Sequence, residues 1–175
     1  WYSAAGDDEP GAGFVPLGAP TRILDTRAAT RTGDCSPQTC STITAATSRV
    51  VGVAGQGGVP ADAVAVVANL TVIGPSGPGA LRVYPADASL PTVSNLNHVA
   101  GDVLSAMVVV KLSDDGKVRI YSGASTDVVL DVQGYFTAED LEGAAGFHPA
   151  TPTRLFDTRN QAGAASCVSV SCDRL

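Results

Sequence analysis

Hydrophobic and polar residues alternate along this chain in short runs that are separated by glycine- and proline-rich stretches. This pattern is typical of β-strands, because successive side chains of a strand point to opposite faces of the sheet. It predicts seven strands, at residues 50–54, 63–73, 81–84, 93–97, 103–112, 117–121 and 127–136. After the last strand, residues 138–141 could form one helical turn.

Many short strands with tight connections predict an all-β fold, an antiparallel β-sandwich of the Greek-key or jelly-roll kind with about seven or eight strands. Residues 107–110 and 128–130 are apolar at successive positions, which favours central strands covered on both faces. Residues 81–84 and 118–121 alternate with arginine and tyrosine, which favours strands with one face toward solvent.

Two stretches, residues 66–84 and 106–121, have related patterns and are interpreted as two similar hairpins. In the second stretch, Asp115 and Gly116 form the clearest two-residue turn signal in the chain.

A segment near the start of the chain recurs near its end. Residues 21–27 read Thr-Arg-Ile-Leu-Asp-Thr-Arg, and residues 153–159 read Thr-Arg-Leu-Phe-Asp-Thr-Arg, with a cysteine pair following each copy at the same distance. We therefore predict an N-terminal extension (1–13), a repeat unit (14–137), a linker (138–146) and the start of a second repeat (147–175). The last part is too short to bury a core of its own, so either a longer array was cut there or the segment docks on another molecule as a strand donor.

The four cysteines are interpreted as two local disulfides, Cys35–Cys40 and Cys167–Cys172, each pinning an exposed loop. Disulfides indicate an oxidising compartment, so we predict a secreted or cell-surface protein. A zinc site is the less favoured alternative, because the pairs lack C-x2-C spacing and nearby histidines.

The net charge of −6 and the scattered basic residues make nucleic acid and anionic membranes improbable partners. Charged residues make up 16% of the chain and apolar residues 45%, yet no apolar run approaches the roughly 20 residues that a spanning helix needs. We therefore expect no membrane insertion.

Four motifs together resemble a known repeat. They are Phe-Val-Pro-Leu and Pro-Thr-Arg-Ile-Leu-Asp-Thr-Arg within residues 14–27, Gly-Gly-Val-Pro-Ala at 57–61, Ser-Asn-Leu-Asn at 94–97 and Asp-Val-Gln-Gly-Tyr-Phe at 131–136. The set resembles a module, often in tandem, of secreted and cell-surface proteins of actinobacteria and related bacteria, where it accompanies cell-wall hydrolases, glycosidases and adhesin-like chains. His98 and Gln133 depart from the module's usual Tyr and Asn. The resemblance implies an extracellular accessory role and brings no catalytic residues.

No catalytic residue, cofactor or metal site is predicted. Asp25 and Asp157 each precede Thr, as in aspartic proteases, but each Asp-Thr is followed by Arg instead of Gly, and a neighbouring guanidinium would keep the carboxylate ionised. A hydrolase triad lacks its sequence signature, since no G-x-S-x-G turn is present. Instead we expect a structural ion-pair cluster at a strand edge, formed by Arg22, Asp25, Arg27 and Asp131. A calcium site that includes Asp131 is a weaker alternative.

Two functions remain open. The first is a non-enzymatic structural module that associates head-to-tail with copies of itself, as a filament subunit whose C-terminal segment adds to a neighbour as a strand. Its candidate contact residues are Phe147, Arg154, Leu155, Phe156, Asp157 and Arg159.

The alternative is a carbohydrate- or cell-wall-binding accessory domain of a secreted enzyme or adhesin. Tyr84 and Tyr121 would form a stacking surface beside Asn95 and Asn97. Ordinary cross-strand packing of the tyrosines explains the same pattern.

Overall fold

The computed structural model describes residues 13–35 and 39–137. Within them the chain forms β1 (Gly13–Asp25), β2 (Thr47–Gly52), β3 (Ala63–Ile73), β4 (Gly79–Pro85), β5 (Leu96–His98), β6 (Val103–Lys111), β7 (Lys117–Ser122) and β8 (Asp127–Thr137). The predicted extension up to residue 12, the helical turn and linker, Cys167, Cys172 and all the candidate contact residues of segment 147–175 lie outside the described residues.

The strands form two antiparallel four-stranded sheets. The first sheet has the order β1-β8-β3-β6 and the second has the order β2-β7-β4-β5. This is the strand order of an eight-stranded jelly roll, and consecutive strands lie in opposite sheets except for β4 and β5, which pair with each other. The prediction of an all-β antiparallel sandwich is confirmed.

The core lies between the sheets and consists mainly of β-branched and leucine side chains. Val66, Leu70 and Val72 of β3 are fully buried, and so are Leu81 of β4 and Ile120 of β7. They occupy alternate positions of their strands, so the period-two pattern of the sequence becomes one buried face per sheet. Burying each such side chain contributes about 1.5–3 kcal/mol before the loss of chain entropy is counted.

The disulfide between Cys35 and Cys40 is confirmed, with a Cα–Cα distance of 5.4 Å. Both cysteines are buried and belong to the hydrophobic core cluster, whereas the described loop residues beside them, Asp34 and Thr39, are exposed. Gly33 lies against this bond with a φ of 128°, and a Cβ there would lie 2.8 Å from the carbonyl oxygen of Ile23. A glycine therefore allows the loop to pack onto the core.

The two predicted hairpins are not hairpins. β3 and β4 lie in different sheets, as do β6 and β7. The related stretches are arches that cross from one sheet to the other, and they pair with each other, β3 with β6 and β4 with β7. The turn at Gly116 exists, with a φ of 73°, but a tight turn serves an arch as well as a hairpin, so the local sequence did not distinguish them.

The position of β6 also differs from the prediction. It lies at the edge of the first sheet, and Met107 and Val109 are 69% and 45% exposed. By contrast, β8 lies between β1 and β3 and residues 128–130 are buried, as expected for a central strand. β1 was not predicted, because Pro16, Gly18 and Pro20 interrupt its pattern.

Candidate functional site

The first copy of the repeated segment forms the end of β1, at one edge of the first sheet. β1 pairs with β8 from Gly13 to Asp25, and the ladder has two register shifts, between Pro16 and Thr21 and between Arg22 and Leu24. At its other end, the ring of Phe14 packs on Phe136, with 5.2 Å between centroids.

Asp25 is the centre of the predicted ion-pair cluster and is fully buried. Its Oδ2 accepts hydrogen bonds from Nη2 of Arg27 at 2.6 Å, Oγ1 of Thr30 at 2.8 Å and Nη1 of Arg22 at 3.3 Å. Its Oδ1 accepts from the backbone N and the Nε of Arg27 at 3.1 and 3.0 Å. The hydrogen bonds from Arg27 hold the pKa of Asp25 well below its usual range, against the opposing effect of burial.

Arg22 links the segment to the neighbouring strand. Its Nε and Nη2 donate to Oδ1 and Oδ2 of Asp131 on β8 at 2.8 and 3.1 Å. A guanidinium that engages both oxygens of a carboxylate fixes relative orientation as well as charge. The carboxylate of Asp131 is therefore held by an arginine, which is the favoured alternative to a calcium site.

Three threonines that were not predicted, Thr26, Thr30 and Thr42, add hydrogen bonds to this cluster. Thr26 Oγ1 accepts from the backbone N of Val128 at 2.8 Å and donates to Oδ1 of Asp127 at 2.9 Å. Thr42 donates to the same Oδ1 at 2.8 Å, and Thr30 contacts Asp25 as described above. For Thr26, the sequence offered one indication of its role, because this residue belongs to the repeated Asp-Thr-Arg motif.

Chemically, this arrangement is a clamp between strands. The Asp25 carboxylate is ionised and surrounded by donors, so it is poorly suited to take up a proton as a general base. In the described part of the chain, no three His, Cys, Asp or Glu side chains are grouped so that they could hold a metal ion.

The glycan-site candidates do not form an open platform. Tyr84 is only 3% exposed, and burial raises the pKa of its hydroxyl. The expectation of an exposed Tyr84 ring is wrong, because the side chain is buried, and its hydroxyl forms a hydrogen bond with Ser48. Arg82 lies over the ring of Tyr121, with its guanidinium carbon 5.3 Å from the centroid.

The two asparagines also differ from each other. Oδ1 of Asn95 accepts from the backbone N of Val83 at 2.8 Å, so this amide holds the chain between β4 and β5. Asn97 is exposed. Of the four candidates, only Asn97 presents its side chain openly to solvent.

A surface depression of about 460 Å³ lies beside β7. Its two basic side chains are already engaged. Lys117 Nζ lies 2.7 Å from Asp115 Oδ2, and Arg119 Nη2 donates to the carbonyl of Ala86 at 3.0 Å. The depression therefore offers little unsatisfied positive charge to a ligand.

No protein-family model, curated protein or solved structure matches this chain. The resemblance to the bacterial repeat module stays a prediction. Across residues 13–35 and 39–137, no helix has the length and apolar character needed to cross a membrane.

Proposed function

We propose that this protein is a non-enzymatic, extracellular structural module that assembles head-to-tail with copies of itself through residues 147–175. One observation carries the proposal. In the first copy of the segment that recurs at 153–159, Arg22 and Thr26 contact β8, and the carboxylate of Asp25 binds Arg22 and Arg27 within the segment.

The second copy preserves the side chains that make these contacts. Arg154 corresponds to Arg22, which binds Asp131 of β8. Asp157 and Arg159 correspond to Asp25, which is buried, and to Arg27, which is partly exposed and pairs with it. A segment with the same guanidinium and carboxylate spacing is suited to make the same contacts with another β8.

The β8 strand of the described sandwich has β1 on one side and β3 on the other. The second copy can therefore pair with a β8 only where β1 has left its place. β1 is the first strand of the fold and lies at a sheet edge, and residues 26–46 separate it from β2. It can be exchanged without rethreading the chain, as in domain swapping.

Exchange of this kind produces an open assembly. The C-terminal copy of one molecule would replace β1 on the next, and the two contact surfaces are different parts of the protein. A heterologous contact that does not close on itself extends into a filament. The buried Cys35–Cys40 disulfide supports the extracellular setting, since such bonds are typical of oxidising compartments.

The test compares the full oxidised chain with a chain that ends at Gly146, by negative-stain electron microscopy and light scattering. We expect filaments or large oligomers from the full chain and none from the shortened one. In the full chain, Asp157→Asn should also abolish assembly, because it removes the counterpart of the buried Asp25 carboxylate. Gln161→Ala, a change in the same segment outside the repeated motif, is the matched control.

If the full chain and the shortened chain are both monomeric, the proposal is wrong. If Gln161→Ala reduces assembly as much as Asp157→Asn, the repeated motif is not what makes the contact.

A further inference from the structure

The first sheet ends at β6, and the exposed edge of this strand is unlike the other three sheet edges. β6 has nine residues, from Val103 to Lys111, with neither proline nor glycine. Its register with β3 is unbroken along all nine residues. Within the described residues, no strand lies on its other side.

The other edges carry features that discourage pairing. β1 contains Pro16 and Pro20 and has two register shifts. β5 is only three residues long. β2 has six residues, and the backbone N of Gly52 at its end already donates to the carbonyl of Asp34 at 2.7 Å. Short strands, prolines and irregular ladders are the common means by which proteins block edge-to-edge association.

The side chains of β6 are also unusually apolar for an exposed edge. Val103, Met107 and Val109 are 67%, 69% and 45% exposed, and Leu104 is 43% exposed. The single charged residue, Lys111, stands at the end of the strand. A long, regular, apolar edge of this kind is a site for adding another strand.

We propose that β6 is a second self-association surface, at which two copies of this chain pair β6 against β6, antiparallel, about a two-fold axis. The contact would join two four-stranded sheets into one continuous sheet of eight strands. It is isologous and uses no residue of the C-terminal segment, so it is independent of the head-to-tail contact.

Self-complementarity favours a second copy as the occupant. Pairing centred on Met107 engages all nine residues and places Val103 of each copy opposite Lys111 of the other. The two Lys111 side chains are then roughly 27 Å apart along the strands, well beyond the Debye length of about 8 Å, so they do not repel each other appreciably. Of the remaining opposed pairs, only Ser105 with Val109 includes a polar side chain, so the contact is apolar along most of its length.

The register provides a direct test. In this pairing, Met107 lies opposite Met107 of the second copy, and directly opposed residues have Cβ atoms about 4.5–5.5 Å apart, close enough for a disulfide after a small adjustment. Full-length Met107→Cys, oxidised and run on a non-reducing gel, should give a band at twice the chain mass. Val109→Cys should not, because the two introduced thiols would lie roughly 14 Å apart along the strands.

Leu90→Cys is the matched control for random collision, since Leu90 is 44% exposed and lies outside β6. The proposal is overturned if Met107→Cys cross-links no more than Leu90→Cys, or if Val109→Cys cross-links as well as Met107→Cys. It is also overturned if Met107→Cys cross-links only in a chain that ends at Gly146, because the C-terminal segment would then cover β6.

A second variant reports on association without a thiol. Met107→Lys should remove the two-fold contact, since it places two like charges opposite each other. The measured particle size should then decrease, because each molecule loses one partner. Leu90→Lys adds the same charge elsewhere and should leave the size unchanged. If the full chain forms no filaments or large oligomers while Met107→Cys still cross-links, the head-to-tail proposal is wrong and the β6 proposal stands.

Discussion

At the scale of single residues, Asp25 combines full burial with contacts from Arg22, Arg27 and Thr30. Because its pKa is lowered in the folded state, the ionised carboxylate stabilises the fold above the pKa of the unfolded chain, about 3.9. This contribution is lost progressively as the pH falls below that value. Asp25→Asn should lower the free energy of unfolding at pH 7 by roughly 2–3 kcal/mol. This loss is toward the lower end of the range for a broken buried ion pair, because both arginines are half-exposed.

Urea unfolding at pH 7 and at pH 3 measures this prediction, and the difference between Asp25→Asn and the wild type should be smaller at pH 3. Asp131→Asn is the control. Its partner Arg22 is 44% exposed, so the loss should stay below about 1 kcal/mol. Equal losses for the two variants would show that the burial of Asp25 does not strengthen its contacts.

The residue-level picture could be predicted only in part. Charged residues inside apolar runs need partners, and this reasoning selected Arg22, Asp25, Arg27 and Asp131. Thr26 contacts Asp127 across more than 100 residues of sequence, and no local pattern indicates that pair. The burial of Tyr84 has the same origin, since it depends on side chains that other strands bring to it.

At the scale of elements, the strands were predictable where a regular pattern ended at glycine or proline. The predicted bounds of β3, 63–73, are those of the structure. β1 contains two prolines and two glycines, which sequence rules assign to turns, yet an edge strand tolerates them because half of its backbone groups need no partner strand. The sheet to which each strand belongs is set by packing between layers, so arches were mistaken for hairpins.

The close approach of β1 to β8 gives a prediction at this scale. A Cβ on Gly134 would lie 2.5 Å from the ring of Phe14 and 2.8 Å from the carbonyl oxygen of Val15. Gly134→Ala should therefore push the start of β1 away from β8 and lower stability by about 1–3 kcal/mol, the usual cost of overpacking. Gly18→Ala is the control on the same strand, because nothing lies within 4 Å of its Cβ position.

Thermal unfolding measures the stability change, and hydrogen exchange of the β1 amides locates it. We expect faster exchange in β1 for Gly134→Ala only. Unchanged stability would mean that Phe14 can leave Gly134 at little cost, and that this end of β1 is weakly held.

At the scale of the whole molecule, the proposed exchange is a competition between two similar strands for one site. β1 belongs to the same chain as β8 and so has a high effective concentration, whereas in the proposed assembly the copy at 153–159 comes from another molecule. A more stable contact between β1 and β8 therefore opposes assembly, whereas a more stable contact between residues 153–159 and β8 favours it. Equivalent residues in the two copies should then have opposite effects.

Arg22 and Arg154 occupy the same position in the two copies, which makes them a matched pair for this prediction. Arg22→Ala weakens the hold of β1 on Asp131 and leaves the donor intact, so it should lower the critical concentration for assembly. Arg154→Ala should raise it. An exposed pair is worth about 0.2–1 kcal/mol, which corresponds to a change of up to roughly fivefold in either direction. Light scattering across a concentration series measures both variants beside the wild type. If Arg22→Ala and Arg154→Ala both weaken assembly, β1 stays in place and takes part in the contact, and strand exchange is ruled out as its mechanism.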